Sequence, residues 1–507
     1  MSPTLLFGFV TGYFLLLLAV AYVTSRNSTN ESFFIGNKNS NWMLVAFGMI
    51  GTSLSGVTFV SVPGTVGDFG AGGFKAFTYF QVVIGYVFGY MAIAYVLIPL
   101  FYRMNLTSIY NYLDHRLGRF SYKTGALFFI ISRTVGATAR LYLVINVLQI
   151  FILDKMGVPF VFTAFVILLM ILLYTFEGGV KTIVYTDTLQ TTFMLTGLVV
   201  CIIYILSNMG LSFSGAMQVL NEKGYTRIFD TDPSNRSFFL KHIIGGAVIA
   251  LTMTGLDQEM MQKNISVRNM KDSQKNILTF TTVMVIVNFL FLLLGGLIYL
   301  YMLDKGAGYE GKQLLSEGRN IIGDDLFPFV AMNHLPQWVG IVFIIALISA
   351  LFPSADGALT ALTSSFCIDM LGIRRQPGLT EKQQKRTRMI VHICFTLVFM
   401  CCILVFKWID NKSIINIILD LAGYTYGPLL GLFFFGILTK RTLRDGLPVT
   451  AVCLLSPMIC YFLSKSAPAL LGGYQIGLEL LLINGALTFT GLWFLSDKRS
   501  PSASLPA

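Results

Sequence analysis

The chain has 507 residues, 55% of them hydrophobic and only 12% charged, where an ordinary soluble domain is about 25% charged. The excess is spread over apolar runs of about 20 residues, the length that crosses a bilayer, which excludes a water-soluble globular protein and describes an all-α polytopic membrane protein. A formal charge of +11 prompts a search for nucleic acid, but no basic run is interleaved with aromatics and the densest cluster, 374–388, sits in one short loop. Nucleic-acid binding is therefore excluded. The seven cysteines show no CxxC pairing, so neither a disulfide framework nor a transition-metal site is expected.

Apolar runs bounded by charges, Gly/Pro or Asn-rich loops predict thirteen spans, at 5–24, 43–69, 75–101, 125–153, 158–176, 184–208, 237–261, 276–303, 336–370, 389–409, 413–439, 446–466 and 475–496. The first lacks a charged n-region and a small-residue cleavage motif and is read as a retained helix. An odd number of spans puts the termini on opposite sides. Lys and Arg favour one set of alternating loops roughly two to one, which places the N-terminus outside and the C-terminus in the cytoplasm of a multi-pass inner cell membrane. The expected organisation is an extra helix and first loop (1–42), a five-helix group (43–208), an extracellular loop (209–235), a second five-helix group (236–440) and two C-terminal helices with a short tail (441–507). Five spans per group force the second group to be inverted relative to the first.

The span at 43–69 carries Gly48, Gly51, Gly56, Pro63 and Gly64, and the one at 237–261 carries Gly245, Gly246 and Gly255. Interrupted helices at matching places in two halves point to a binding site, close packing through small residues being the alternative. His115, His242, His334 and His392 form no metal-ligand pair, and no GxSxG, P-loop or acidic metal motif is present, so an enzyme is not expected.

Ionisable residues inside spans are costly and mark function: Arg133, Arg140, Asp187, Asp356 and Asp420. Arg133 and Arg140 lie two turns apart on one face, fit either to clamp a carboxylate or to pair with acids of the span at 336–370. Asp420, near Tyr424 and Tyr426, also fits a buried hydrogen-bonded acid. Asp187 and Gln190 by themselves fit a D-x-x-Q capping box that starts the span at 184–208.

The string from Glu177-Gly178-Gly179 through Tyr185-Thr186-Asp187 to Gln190 resembles a signature of the solute:sodium symporter family, whose members use a leucine-transporter-like inverted repeat. The string 106–117, Asp257-Gln258 with Gln262, and Gly427-Pro428 through Lys440-Arg441-Thr442 with Gly446 agree with it. The resemblance implies sodium-coupled secondary active uptake, with Na+ as coupling ion and a small-molecule solute as partner. Matching Gly51-Thr52-Ser53-Leu54-Ser55-Gly56 and Ser349 to Asp356 to the family's sodium motifs implies the carbonyls of Gly51, Leu54 and Ala350 and the hydroxyl of Ser354 as ligands. The first of two expected hydroxyls is replaced by Pro353. The acid matching Asp187 belongs to a second sodium site in some members. Asp356 then either adds charge there or pairs with Arg133 or Arg140.

The resemblance places the solute near Ser55, Gly56, Thr58, Phe59, Gln81, Arg140 and Tyr424. Residues 55–64 are similar to the branch that carries monocarboxylates, vitamins and inorganic anions, which with the two arginines favours a small organic anion. The alternatives are a proton-coupled or uncoupled transporter, or a membrane sensor on the same scaffold, although the chain ends soon after its last span, where a sensor would append a signalling domain. A monomer or weak homo-oligomer is expected.

Overall fold

The computed structural model describes residues 3–25, 29–66, 75–310, 313–316, 319–321, 323–373, 375–376, 378–409, 414–470 and 472–498. The expected end of the second span at 67–69, the start of the eleventh at 413 and Arg374 lie outside the described residues. Each predicted span overlaps a helix within the described residues. The helices of the predicted spans are α1 (Pro3–Ser25), α2 (Trp42–Ser53), α3 (Gly56–Gly64), α4 (Phe80–Ala92, running on to Arg103), α5 (Arg119–Leu148) and α6 (Phe160–Asn208) in the first half of the chain. They continue as α7 (Phe239–Ala250, running on to Gly255), α8 (Gln258–Ile265), α9 (Met270–Asp304), α10 (Gln337–Ser365), α11 (Glu381–Ile409), α12 (Ile414–Thr425), α13 (Gly427–Leu438), α14 (Leu447–Leu470) and α15 (Leu480–Phe494).

Three pairs are single spans broken in the middle: α2 and α3 meet at 54°, α7 and α8 at 64°, and α12 and α13 at 43°. The first two breaks fall in the first spans of the two expected five-helix groups. The fifth and sixth spans join within α6 at Gly179, whose φ of 52° and ψ of −145° interrupt the helix. That left-handed value favours glycine, and a Cβ there would run into the Phe33 backbone and ring. Asp187 lies two turns inside the second segment, buried. The capping-box reading of Asp187 and Gln190 is therefore wrong: the helix starts earlier, and neither side chain meets a free helix end.

Of the glycines expected to break the span at 237–261, Gly255 does end the segment before the break, whereas Gly245 and Gly246 lie inside α7 and pack against neighbours. A Cβ on Gly246 would overlap the carbonyl oxygen of Val82, and one on Gly85 would overlap that of Ile243, so α4 and α7 touch backbone to backbone. Gly85→Ala should cost about 1–3 kcal/mol of stability because only backbone can yield, lowering the melting temperature in detergent. Gly8→Ala, with open space around it, is the control and should not.

Candidate functional site

Both breaks have local causes. Leu54 (φ −87°, ψ 67°) and Ser55 (φ −68°, ψ 176°) leave the helical region, so α2 ends and α3 restarts with its own hydrogen bonds, freeing carbonyls of the last turn of α2. Irregular backbone at this depth is tolerated only where it is covered by protein or lines a cavity. In the second break a widened turn over Leu251–Gly255 runs into Asp257, whose carboxylate accepts from the N–H groups of Glu259 (2.9 Å) and Met260 (3.2 Å) and so caps α8.

All eight residues of α8 are buried, although five of them are polar or charged. Burial on that scale requires partners on every side. Gln258 accepts from the Ile109 N–H at 2.9 Å and donates to the Thr107 carbonyl. Gln262 donates to the Phe34 carbonyl, and Asn264 accepts from Asn276 at 2.7 Å. Glu259 pairs with Arg133 of α5, and Asp257 lies 3.8 Å from the same guanidinium. Tyr426, at the α12–α13 break, donates to Asp257 at 2.8 Å, so all three broken spans meet around α8. Lys263 donates to Asp187 of α6 and to the Thr52 hydroxyl of α2, both at 2.6 Å.

These contacts correct several expectations. Arg133 pairs with Glu259 of α8 and lies beside Asp257, which caps that helix, not with acids of α10. Asp356 pairs with neither arginine; it is buried in α10 and accepts from Tyr174 Oη at 2.7 Å and from the Gly357 N–H at 2.5 Å. Asp420 is not buried: its side chain is 49% exposed and pairs with Arg236.

A cavity of about 100 Å³ lies between the breaks, and Ser55, Thr58 and Arg140 line it together with Tyr86, Thr254 and Asn288. Arg140 makes no hydrogen bond or ion pair with any described residue, unlike Arg133 two turns away. Four expected solute contacts lie elsewhere. Gly56 backs onto Val144, and Phe59 is fully buried among Phe291, Phe327 and Phe343. Gln81 is held by Thr78, Ser237, His242 and the Asp230 N–H. Tyr424 packs on Tyr461 of α14.

Among the expected sodium ligands, Leu54 lines the cavity and the Ser354 hydroxyl donates to the Leu351 carbonyl at 3.1 Å. A Cβ on Gly51 would meet Pro353 of α10 and overlap the Thr191 hydroxyl of α6, while one on Gly56 would lie 3.9 Å from the Ala350 carbonyl oxygen. The break is thus seated on α10 and α6, and Thr191 Oγ1 is buried there without a hydrogen-bond partner. Sequence reading missed Lys263, Glu259, Tyr174 and Thr191. For Lys263 the signal was its distance of two residues beyond an apolar run, which by itself marks a loop.

The family model for the sodium:solute symporter family matches residues 33–450. The sodium/sialic acid symporter SiaT of Proteus mirabilis is 24% identical over 461 residues, covering 86% of this chain and 84% of that one. The sodium-coupled monocarboxylate transporter 1 of Mus musculus is 24% identical over 442 residues, covering 82% of this chain and 66% of that one. A solved structure of a Na+-coupled sialic acid symporter, substrate-bound and outward-open, superposes with a TM-score of 0.80 at 19% identity, covering 97% of this chain and 99% of that one, which shows the shared fold. With its broken helices meeting over a central cavity, the chain belongs to the sodium:solute symporter family, a group of membrane transporters on the leucine-transporter-like fold whose coupling ion is sodium.

Proposed function

We propose that the protein couples sodium entry to uptake of a small organic anion, bound in the cavity between the α2–α3 and α7–α8 breaks with its carboxylate on Arg140. The observation that carries this reading is the unpartnered guanidinium facing that cavity. A cation at membrane depth is costly unless something neutralises it, and a transported carboxylate does so with two parallel hydrogen bonds. A cavity of about 150 Å³ holds benzene, so one of about 100 Å³ suits a solute of about four to six heavy atoms. Ser55, Thr58 and Asn288 offer hydrogen bonds, and Ile249, Met253 and Met284 take an apolar part.

Sodium sits at the α2–α3 break, held by the carbonyls of Gly51, Leu54 and Ala350 and the Ser354 hydroxyl. The Thr191 hydroxyl, orphaned against Gly51, takes the place of the hydroxyl lost at Pro353. Sodium there favours the outward-open arrangement and completes the cavity, so ion and solute bind cooperatively through one equilibrium. The positive-inside asymmetry supports an N-terminus outside and a C-terminus in the cytoplasm, and the protein works as a monomer or weak homo-oligomer.

Two measurements test the reading. Sodium chloride should raise the melting temperature of the purified protein relative to potassium chloride, since an ion that binds only the folded state adds stability as RT ln(1 + [L]/Kd); equal melting in both salts removes the site at the break. In proteoliposomes, an inward sodium gradient should drive accumulation of labelled short-chain carboxylates but not of their amides. Uptake of both alike removes Arg140 as the anion's partner.

A further inference from the structure

Asp187 already holds a cation. The Lys263 side chain, 3% exposed, enters from α8 and ends 2.6 Å from Asp187 Oδ2 and 2.6 Å from the Thr52 hydroxyl, with Glu259 Oε1 at 3.8 Å. The Thr52 hydroxyl in turn donates to the same carboxylate oxygen at 3.2 Å. Oxygens from α2, α6 and α8 thus converge on one positive charge, as they would around an alkali ion, since an ammonium and a small monovalent cation ask for the same hard ligands. Thr52 lies in the last turn of α2, next to Gly51, so this charge stands beside the helix break where a coupling ion acts.

We propose that the Lys263 ammonium is a tethered cation filling a second ion position at Asp187, so that only the site at the α2–α3 break takes sodium. The ammonium neutralises Asp187 and bridges three helices as a sodium ion would, but it is covalently bound and cannot leave at the inner face. It therefore holds the three helices together without contributing a transported charge. Asp187 Oδ1, buried and without a hydrogen-bond partner, is a further ligand that an ion would gain if the ammonium were removed. The count of one transported sodium rests on the site proposed at the break; the occupation of Asp187 by Lys263 does not.

The test uses purified full-length protein, wild type, Lys263→Ala and the double variant Lys263→Ala with Asp187→Asn, each prepared in high sodium. Radioactive sodium binding at equilibrium and melting in sodium against choline chloride are the readouts. The wild type should bind one sodium per chain and Lys263→Ala two, with a sodium-dependent rise in melting temperature larger by several degrees. The double variant, which lacks the Asp187 charge, should return to one. A Lys263→Ala protein that binds no additional sodium overturns the proposal. So does a single variant that cannot be recovered even in high sodium, whether or not the double variant folds, because sodium then fails to replace the ammonium. If the wild type binds none and Lys263→Ala binds one, the site at the break fails while the tethered cation stands.

Discussion

Replacing Arg133 with Met should leave little folded protein in the membrane. Arg133 is 3% exposed and is paired with Glu259 of α8, a helix with no exposed residue, and near Asp257, which caps that helix. Methionine fills a similar volume but leaves Glu259 with only Lys263, 3.8 Å away, as a cationic neighbour, and Asp257 with its neutral donors alone. Breaking one partner of such a pair costs about 3–5 kcal/mol, a large part of the 5–15 kcal/mol that holds a typical protein together. Yield in the membrane fraction and melting temperature should both fall steeply. Adding Glu259→Gln, which removes the stranded charge while keeping the shape, should restore part of the loss. A normally folded Arg133→Met protein would show that α8 is held by its amide contacts alone.

Arg140→Gln should behave in the opposite way, although it lies two turns along the same helix. No described residue pairs with Arg140, so its removal strands no acid and the melting temperature should stay level or rise. What is lost is the fork that holds the carboxylate. Charge-assisted hydrogen bonds contribute about 1.5–3 kcal/mol, so apparent solute affinity should fall roughly 10- to 100-fold. Arg140→Lys should fall in between, because an ammonium keeps the charge without the planar pair of donors. Undiminished carboxylate uptake by Arg140→Gln would remove it from the site, and a clear drop in melting temperature would assign it a structural role.

The contrast between the two arginines explains how far the site was legible. Their spacing put both on one helical face, and their cost in a membrane marked both as important. Spacing within one helix says nothing about which neighbour each meets. The acids near Arg133 are Glu259 of α8 and Asp257, which caps it, at the polar end of the span expected at 237–261, where the run Gln258-Glu259-Met260-Met261-Gln262-Lys263 has the composition of a solvated loop. In the fold that segment is the buried half of a broken span, and its polar side chains are satisfied by backbone groups and ionic partners from distant parts of the chain. The same blindness affected Asp187, which locally looks like a helix cap, and Tyr424, whose neighbour Tyr426 is the one that reaches Asp257.

By itself the sequence determined the class, the positions of the long apolar helices, the family and the existence of broken helices, because these depend on quantities written locally: runs of apolar residues as long as a bilayer is thick, the charges that bound them, and short strings that turn the backbone. Only the tertiary structure decided which glycines break a helix and which let two helices touch, which arginine is neutralised and which is left facing a cavity, and that the carboxylate of Asp187 is occupied by an ammonium. Those outcomes depend on partners more than 70 residues apart in the chain, as Lys263 is from Asp187. In a low-dielectric interior the energy of a charge is set by the few groups within about 4 Å of it, whatever their distance along the chain.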